Sequence, residues 1–391
     1  MGSDPALAVP LGDAAVEVAI IGAGPAGSTL AALLAARGVA VTLFDRDAFP
    51  RDKLCGEFLS YDALPVVESL GVPLDGAPSI THCRVVGSKR TYAFDFPHPA
   101  RGVSRMYFDD ALLRCAISRG AAVHCGDAVS ALRHEVGGWR LTVGGSEIAA
   151  RVVVGAWGRW GRFDQQLKRS FVEAKDRNFG FKRHYRTTAN RHPPTANQSI
   201  DLYAFDKGYL GVNAVEGGIT NICGLVHATR LAGHKGRWDA FIETLRDEAP
   251  HLEALYAAHE PAQEHFLSSE PVIFRARSPV EEGVFMIGDA SGVIDPLTGN
   301  GMAMAIQSAV LLAPLILRLL GGADRDAIER EYRARHHAFF APRIRWSRAV
   351  AALLSRPRAL DLALSTTRSP RIGAALLRHT RAAREQVEKM L

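Results

Sequence analysis

Val16-Glu17-Val18-Ala19-Ile20-Ile21-Gly22-Ala23-Gly24-Pro25-Ala26-Gly27-Ser28 is the stretch that decides the fold of this 391-residue chain. Its first six residues are a short, largely β-branched apolar run, the signature of a buried parallel strand. Gly22 to Gly27 is a G-x-G-x-x-G turn. Ser28 to Arg37 reads as a helix stopped by Gly38, and Val39 to Phe44 as a second strand. Strand, turn, helix and strand within about 30 residues make the unit from which parallel sheets are built. In that setting each glycine has a task. The first permits the tight turn, the second lets backbone approach a pyrophosphate, and the third lets helix pack on strand. Pro25 and Ala26 lie in the turn that leads into the helix, whose N-terminal N–H groups and partial positive charge face phosphates. Asp45 ends the second strand, placed to accept from ribose hydroxyls, with Arg46 beside it.

Outward from this unit the pattern changes. Tyr61 to Leu70 reads as a helix, Thr81 to Phe96 as alternating strands, Asp109 to Arg119 as a helix and Ala122 to His124 as a strand. Val129 to Arg133, Trp139 to Val143 and Glu147 to Ala150 suggest a meander turning at Gly137-Gly138 and Gly144-Gly145, with another apolar strand at Val152 to Gly155. Asn178 to Val226 alternates as antiparallel sheet, with Gly217-Gly218 at a hairpin between Val212–Glu216 and Ile219–Val226. Trp238 to Glu248 is helical, and from Gly301 helix follows helix.

Bulk properties set bounds. Hydrophobic residues make up 47% of the chain, ample for a sizeable core and two domains. The five cysteines (Cys55, Cys83, Cys115, Cys125 and Cys223) are scattered and odd in number, with no C-x-x-C spacing. That pattern argues for a reducing, cytoplasmic setting and against a zinc site, a disulfide framework or any other metal centre. Met1 to Asp13 does not read as a signal peptide and is expected to be a short tail. The apolar window Met304 to Leu320 contains Gln307, Ser308, Pro314 and Arg318, and a buried core helix is expected there. Charge is uneven: Arg325 to Leu391 holds 15 Lys/Arg and 6 Asp/Glu, a balance of +9 against +6 for the whole chain. This basic region reads either as a solvated helical face or as a docking surface for an acidic carrier protein or an anionic membrane. Without interleaved aromatics it does not suggest nucleic acid.

A second constellation lies far downstream. Val284 to Ile287 is a strand, followed by Gly288-Asp289-Ala290-Ser291-Gly292 and then Asp295-Pro296-Leu297-Thr298-Gly299-Asn300-Gly301-Met302. A carboxylate at a strand end suits a ribityl hydroxyl. A glycine-flanked loop entering a helix presents N–H groups to developing negative charge. Together the two segments resemble the flavoprotein superfamily of para-hydroxybenzoate-hydroxylase-type monooxygenases, geranylgeranyl reductases and flavin-dependent halogenases, over roughly Val16 to Leu320. The resemblance implies FAD in the N-terminal site, Asp289 on the ribityl chain, and Pro296 with Gly299, Asn300, Gly301 and Met302 beside the isoalloxazine. It further implies a cofactor role for Arg46 and Val129.

Phe49-Pro50-Arg51-Asp52-Lys53-Leu54-Cys55-Gly56-Glu57 resembles the P-R-x-K-x-C-G segment of the reductase-like and halogenase-like branches, which puts Arg51, Lys53 and Cys55 near the flavin. The alternative is a solvated Lys53 and a small buried Cys55. Arg105, ahead of a helix, resembles the superfamily's cofactor-buttressing arginine, and is equally read as a surface residue. Other signatures are missing. Where the hydroxylases carry D-G, this chain has Gly155-Ala156-Trp157-Gly158-Arg159, and neither W-x-W-x-I-P nor Y-x-W-x-F-P is present.

The resemblance implies an α/β fold, α+β overall. Residues 14–80, 100–177 and 270–325 form a discontinuous Rossmann-like FAD-binding domain, 81–99 and 178–269 an antiparallel-sheet substrate domain, and 326–391 a basic helical region. The expected activity is FAD-dependent monooxygenation of an aromatic or hydrophobic small molecule. NAD(P)H or another donor reduces the flavin, which then meets oxygen to form a C4a-hydroperoxide. The alternatives are C=C reduction or dehydrogenation of an isoprenoid- or polyketide-like substrate, halogenation, and a flavin-holding interaction protein without turnover. Candidate catalytic residues are Lys53, Cys55, His184 and Tyr209. His184, Tyr185, Tyr203, Phe205 and Tyr209 are the expected inward-facing side chains of the sheet, as acid, base or aromatic wall.

Overall fold

Val16–Ile21 has a parallel partner on each side, which is why it reads as a continuous apolar run. The computed structural model describes residues 16–174, 177–188, 198–234, 236–366 and 371–391. Val18 lies opposite Val41 of the Val41–Asp45 strand and opposite Val152 of Ser146–Gly155. Ala122–Cys125 extends this sheet at one edge, and Val284–Met286 with Val280–Glu281 at the other. The meander Val129–Glu135 and Gly138–Val143 hangs on Ser146–Gly155. The first helix, Pro25–Ala35, is buried along its whole length, and it packs between the helices Arg105–Ser118 and Gly301–Leu320. Gly301–Leu320 is long and apolar enough to span a bilayer, but most of it lies buried in this core.

The second sheet has nine strands, ordered His259–Pro261, Asn178–Thr187, Ile219–His227, Gly208–Val215, Ser199–Phe205, Ser79–Val86, Thr91–Gly102 and Phe58–Leu59, with Leu267–Ser268 also on Asn178–Thr187. Its two faces do different work. One packs Phe181, Tyr185, Tyr203, Phe205 and Leu210 against the helices Trp238–Glu248 and Pro250–Ala257. The other sets Cys83, Leu202, Ala204, Tyr209 and Leu225 beneath Leu297 and the C-terminal helices Arg325–Leu354, Pro357–Thr366 and Arg371–Thr380.

The chain is thus mixed α/β with two sheets and a helical C-terminus, as expected. Several boundaries move. Pro25, not Ser28, starts the first helix. The expected Tyr61–Leu70 helix shrinks to Leu64–Ser69. The Asp109 helix begins at Arg105, because the Ser104 hydroxyl caps it by accepting from the Tyr107 N–H at 3.1 Å. Glu147–Ala150 and Val152–Gly155 are one strand. The proposed tail Met1 to Asp13 lies outside the described residues.

Candidate functional site

The glycine turn is shaped by backbone packing. A Cβ on Gly22 would stand 2.3 Å from the Ala156 carbonyl oxygen, and one on Gly27 only 1.9 Å from that of Gly22. Gly24 is different: its nearest neighbour is the Arg105 guanidinium at 3.7 Å, so its backbone faces open space and a cation. Asp45 is buried at the end of its strand. It accepts from the Ala23 N–H at 2.7 Å and from Arg51 at 3.1 Å. Arg51 also donates to Asp109 at 2.9 Å, and Arg105 grips Asp109 with two bonds of 2.7 Å. Burial works against the Arg105 charge, but the Asp109 carboxylate outweighs it and holds the guanidinium pKa above its ordinary value. The result is an alternating chain, Asp45–Arg51–Asp109–Arg105, running from the second strand to the glycine turn.

The Gly288–Met302 segment begins against the first helix, where a Cβ on Gly288 would stand 3.0 Å from that of Ala26. Three cations, Arg159, Arg277 and Arg105, surround the Asp289 carboxyl, yet burial still raises its pKa. Asp295 caps the turn Pro296–Thr298, accepting from the Leu297 N–H at 3.0 Å and from the Tyr209 hydroxyl at 2.7 Å. Gly299 adopts a left-handed φ of 62°, and a Cβ there would meet the Phe58 ring at 2.8 Å. Asn300 donates to the Thr380 carbonyl at 2.5 Å, while its buried side-chain oxygen has no protein partner. Gly301 then starts a 20-residue helix with no side-chain cap.

Beneath the Arg51–Glu57 loop lies a buried polar cluster built from the second sheet. Glu57, fully buried and with φ of 55°, accepts from Lys182 at 2.5 Å, from the Arg105 N–H at 2.9 Å, and faces His184 Nε2 at 2.7 Å. Lys182 also donates to Asp52 at 2.5 Å. Burial opposes the Lys182 charge, but Glu57 and Asp52 together raise its pKa. Conversely Lys182 outweighs burial at Asp52 and lowers that carboxyl. His184, Asn221 and Asn213 lie opposite one another across three strands. Asn221 donates to the Cys55 carbonyl at 3.1 Å and Asn213 to that of Glu57 at 3.4 Å. The second sheet therefore holds the loop that carries Cys55, whose sulfur accepts from the Glu57 N–H at 3.3 Å.

A family model described as FAD binding domain matches residues 15–347. The chain belongs to that family. Among curated proteins it is similar to a menaquinone reductase of Mycobacterium tuberculosis, 26% identical over 78% of this chain and 77% of the relative. It is also similar to a pyrrole-2-carbonyl-[peptidyl-carrier protein] brominase of Pseudoalteromonas luteoviolacea, 24% identical over 79% of each. In fold it resembles a flavoprotein/dehydrogenase of Cytophaga hutchinsonii, with a TM-score of 0.78, 17% identity and coverage of 96% and 99%. A myxobacterial chondrochloren halogenase gives 0.76, 21%, 96% and 95%. Like these relatives, the chain is an FAD-dependent enzyme.

The residues fit FAD. The open position at Gly24 beside the first uncapped helix start suits a pyrophosphate, the Asp289 carboxyl a ribityl hydroxyl, and the unpartnered Asn300 oxygen with the uncapped start of Gly301–Leu320 a flavin ring. Some expected side chains stand elsewhere. Arg46 is exposed and pairs only with Asp47 at 3.8 Å. Val129 is buried in a hydrophobic cluster with Leu132 and Trp139, so it offers a ligand its main chain alone. Met302 is buried in the core. Lys53 is engaged by Asp47. Tyr185, Tyr203 and Phe205 face the far side of the sheet, because neighbouring strand residues point to opposite faces and His184 takes the near side. Tyr209 does face the site, but its hydroxyl is committed to Asp295, and burial drives its pKa well up. Trp157, standing at the missing D-G position, packs against Gly155 and Gly161 and donates to Asp164 at 3.2 Å. Glu57, Asp52, Lys182, Asn213, Asn221, Arg159 and Arg277 escape the sequence reading.

Proposed function

We propose that the chain is an FAD-dependent monooxygenase of a hydrophobic or aromatic small molecule, with NAD(P)H as electron donor. The observation that carries this reading is the packed apolar layer beside Gly299. There Phe58, Phe94, Leu202, Ala204 and Leu225 meet Leu377 of the last helices, and Arg381 closes the edge by donating to Ser60 at 2.9 Å and to the Thr298 carbonyl at 2.8 Å. Oxygen insertion needs a dry setting, and apolar surroundings favour an apolar substrate. FAD, when bound, supplies the redox chemistry. The chain's own residues bind and orient. Arg105 and the N–H groups at the first helix start hold phosphate, Asp289 holds the ribityl chain, and the start of Gly301–Leu320 stabilises negative charge beside the ring.

A second reading, C=C reduction of an isoprenoid- or polyketide-like substrate, is favoured by the Pro50-Arg51-Asp52-Lys53-Leu54-Cys55-Gly56 segment and by likeness to menaquinone reductase. The test is purified protein with FAD and NADPH in air, offered phenols, quinones and prenylated quinols. Substrate-stimulated NADPH oxidation that places one atom of labelled oxygen in the product supports monooxygenation. Anaerobic reoxidation of the reduced protein by an alkene, with no oxygen uptake, supports the second reading instead. A product that forms only with added halide refutes both.

A further inference from the structure

The outer face of the C-terminal helices carries charge and apolar surface for which the flavin site has no use. Residues 343–381 contain nine arginines and a single carboxylate, Asp361. Two of those arginines turn inward, Arg343 to Gln307 at 2.7 Å and Arg381 to Thr298. Arg345, Arg348, Arg356, Arg358 and Arg378 are exposed, and none pairs with a carboxylate among the described residues. Asp361 is taken by the Ser88 hydroxyl and the Lys89 N–H. Elsewhere on the surface Arg114, Arg133, Arg140, Arg246 and Arg318 each hold an acid, whereas arginines without one, such as Arg37, Arg186 and Arg275, are scattered rather than gathered on one group of helices.

Apolar exposure gathers in the same helices. Of seven large apolar side chains exposed among the described residues, four lie between residues 346 and 372: Trp346 at 46%, Leu353 at 37%, Leu362 at 69% and Ile372 at 48%. Trp346, Ala349 and Leu353 follow helical spacing and form one stripe, with Arg345 at its edge and Arg356 just past the end of the helix. Leu362 lies one turn beyond Arg358. Trp346 stacks on His379 at 4.5 Å, joining the outer side of the first of these helices to the last.

We propose that this face docks on an anionic lipid bilayer. Arginine and tryptophan beside leucine on amphipathic helices are the composition of an interfacial surface: guanidinium groups reach lipid phosphates while the apolar tips enter the acyl boundary. The apolar side chains project singly from three helices. Acyl chains conform to such an outline, whereas a protein partner needs shaped pockets for its anchors. Behind these helices stands the apolar layer beside Gly299, so docking would bring a lipid-dissolved substrate close to it. That consequence rests on the function proposed above; the docking itself does not.

The test uses the full chain with FAD, floated with vesicles of phosphatidylcholine alone or with added phosphatidylglycerol. Binding to the anionic vesicles should exceed binding to neutral ones by at least about tenfold and weaken at high salt. Arg345→Glu, Arg348→Glu and Arg358→Glu together should remove most of it, and Trp346→Ser should weaken it at low and high salt alike. Bound FAD should be unchanged in each, which shows the variants fold. Equal partition onto both vesicles, or none onto either, overturns the proposal. So does binding to an acidic acyl carrier protein without binding to vesicles. Flavin absorbance reads the other claim separately. A colourless chain that floats refutes the flavin site alone, and a yellow chain that does not float refutes the docking alone.

Discussion

The glycine turn and the Arg51–Glu57 loop meet at Arg105, yet they are made in opposite ways. The turn is backbone fitted to backbone, with Gly27 against Gly22 and Gly22 against Ala156. The loop is held by side chains more than a hundred residues downstream, Lys182, His184, Asn213 and Asn221. The first tolerates no added atom; the second tolerates no lost charge. A cofactor site can therefore be rigid for two unrelated reasons, and substitutions should separate them.

The largest effect is expected at the turn. Gly27→Ala places a methyl where 1.9 Å is available, so the variant should lose FAD retention altogether, measured as flavin per chain after gel filtration. Next comes the loop. Lys182→Met leaves Glu57 and Asp52 as uncompensated buried charges and should cost about 3–5 kcal/mol in chemical denaturation. Adding Glu57→Gln to it should restore part of that loss, because one of the stranded charges is then gone. A double variant no better than the single would contradict the charge-clamp description.

The two constructions also differ in how far the sequence discloses them. Backbone sites are legible because glycine and a strand–helix rhythm are local, so Gly22–Gly27 and Gly288–Asp289 could be found by spacing. The clamp is not local. Glu57 stands next to the quoted Cys55-Gly56, but nothing near it announces a buried ion pair. The available clue is strand parity: Lys182 and His184 are two apart, so they share a face, and two polar residues on one face of an otherwise apolar strand call for partners. The same parity would have excluded Tyr185, Tyr203 and Phe205 from the site. Arg46, by contrast, follows the ribose-binding Asp45 closely yet points to solvent, because the loop beyond a strand end owes its direction to tertiary contacts that spacing does not encode.

The Gly288–Asp295 segment adds a third construction, a turn backed by a neutral group. His336 Nε2 lies 2.9 Å from the Ser291 hydroxyl, and burial lowers its pKa from 6.5 to about 3. The unfolded chain then binds this proton more readily than the folded one between those values. Stability should fall as pH drops through that window, by about 1 kcal/mol for the first full unit below 6.5 and up to about 1.4 kcal/mol for the next. His336→Asn should flatten that part of the profile, read as melting temperature against pH. The clamp's Asp52 and Lys182 act outside most of that window. Its lowered Asp52 is lost only as pH falls below the usual carboxylate range, and its raised Lys182 only as pH rises above the usual lysine range. The smallest effect is expected at Tyr209→Phe. It removes one bond to Asp295 while the Leu297 N–H remains, and should cost about 1 kcal/mol with FAD still bound.

The most direct test of the whole description is the amount of FAD held by the purified chain, wild type beside Gly27→Ala. One flavin per wild-type chain, with its visible spectrum surviving gel filtration, and none on the variant is the expected result. A wild-type chain that stays colourless after incubation with FAD, or a variant that keeps its flavin, would contradict it.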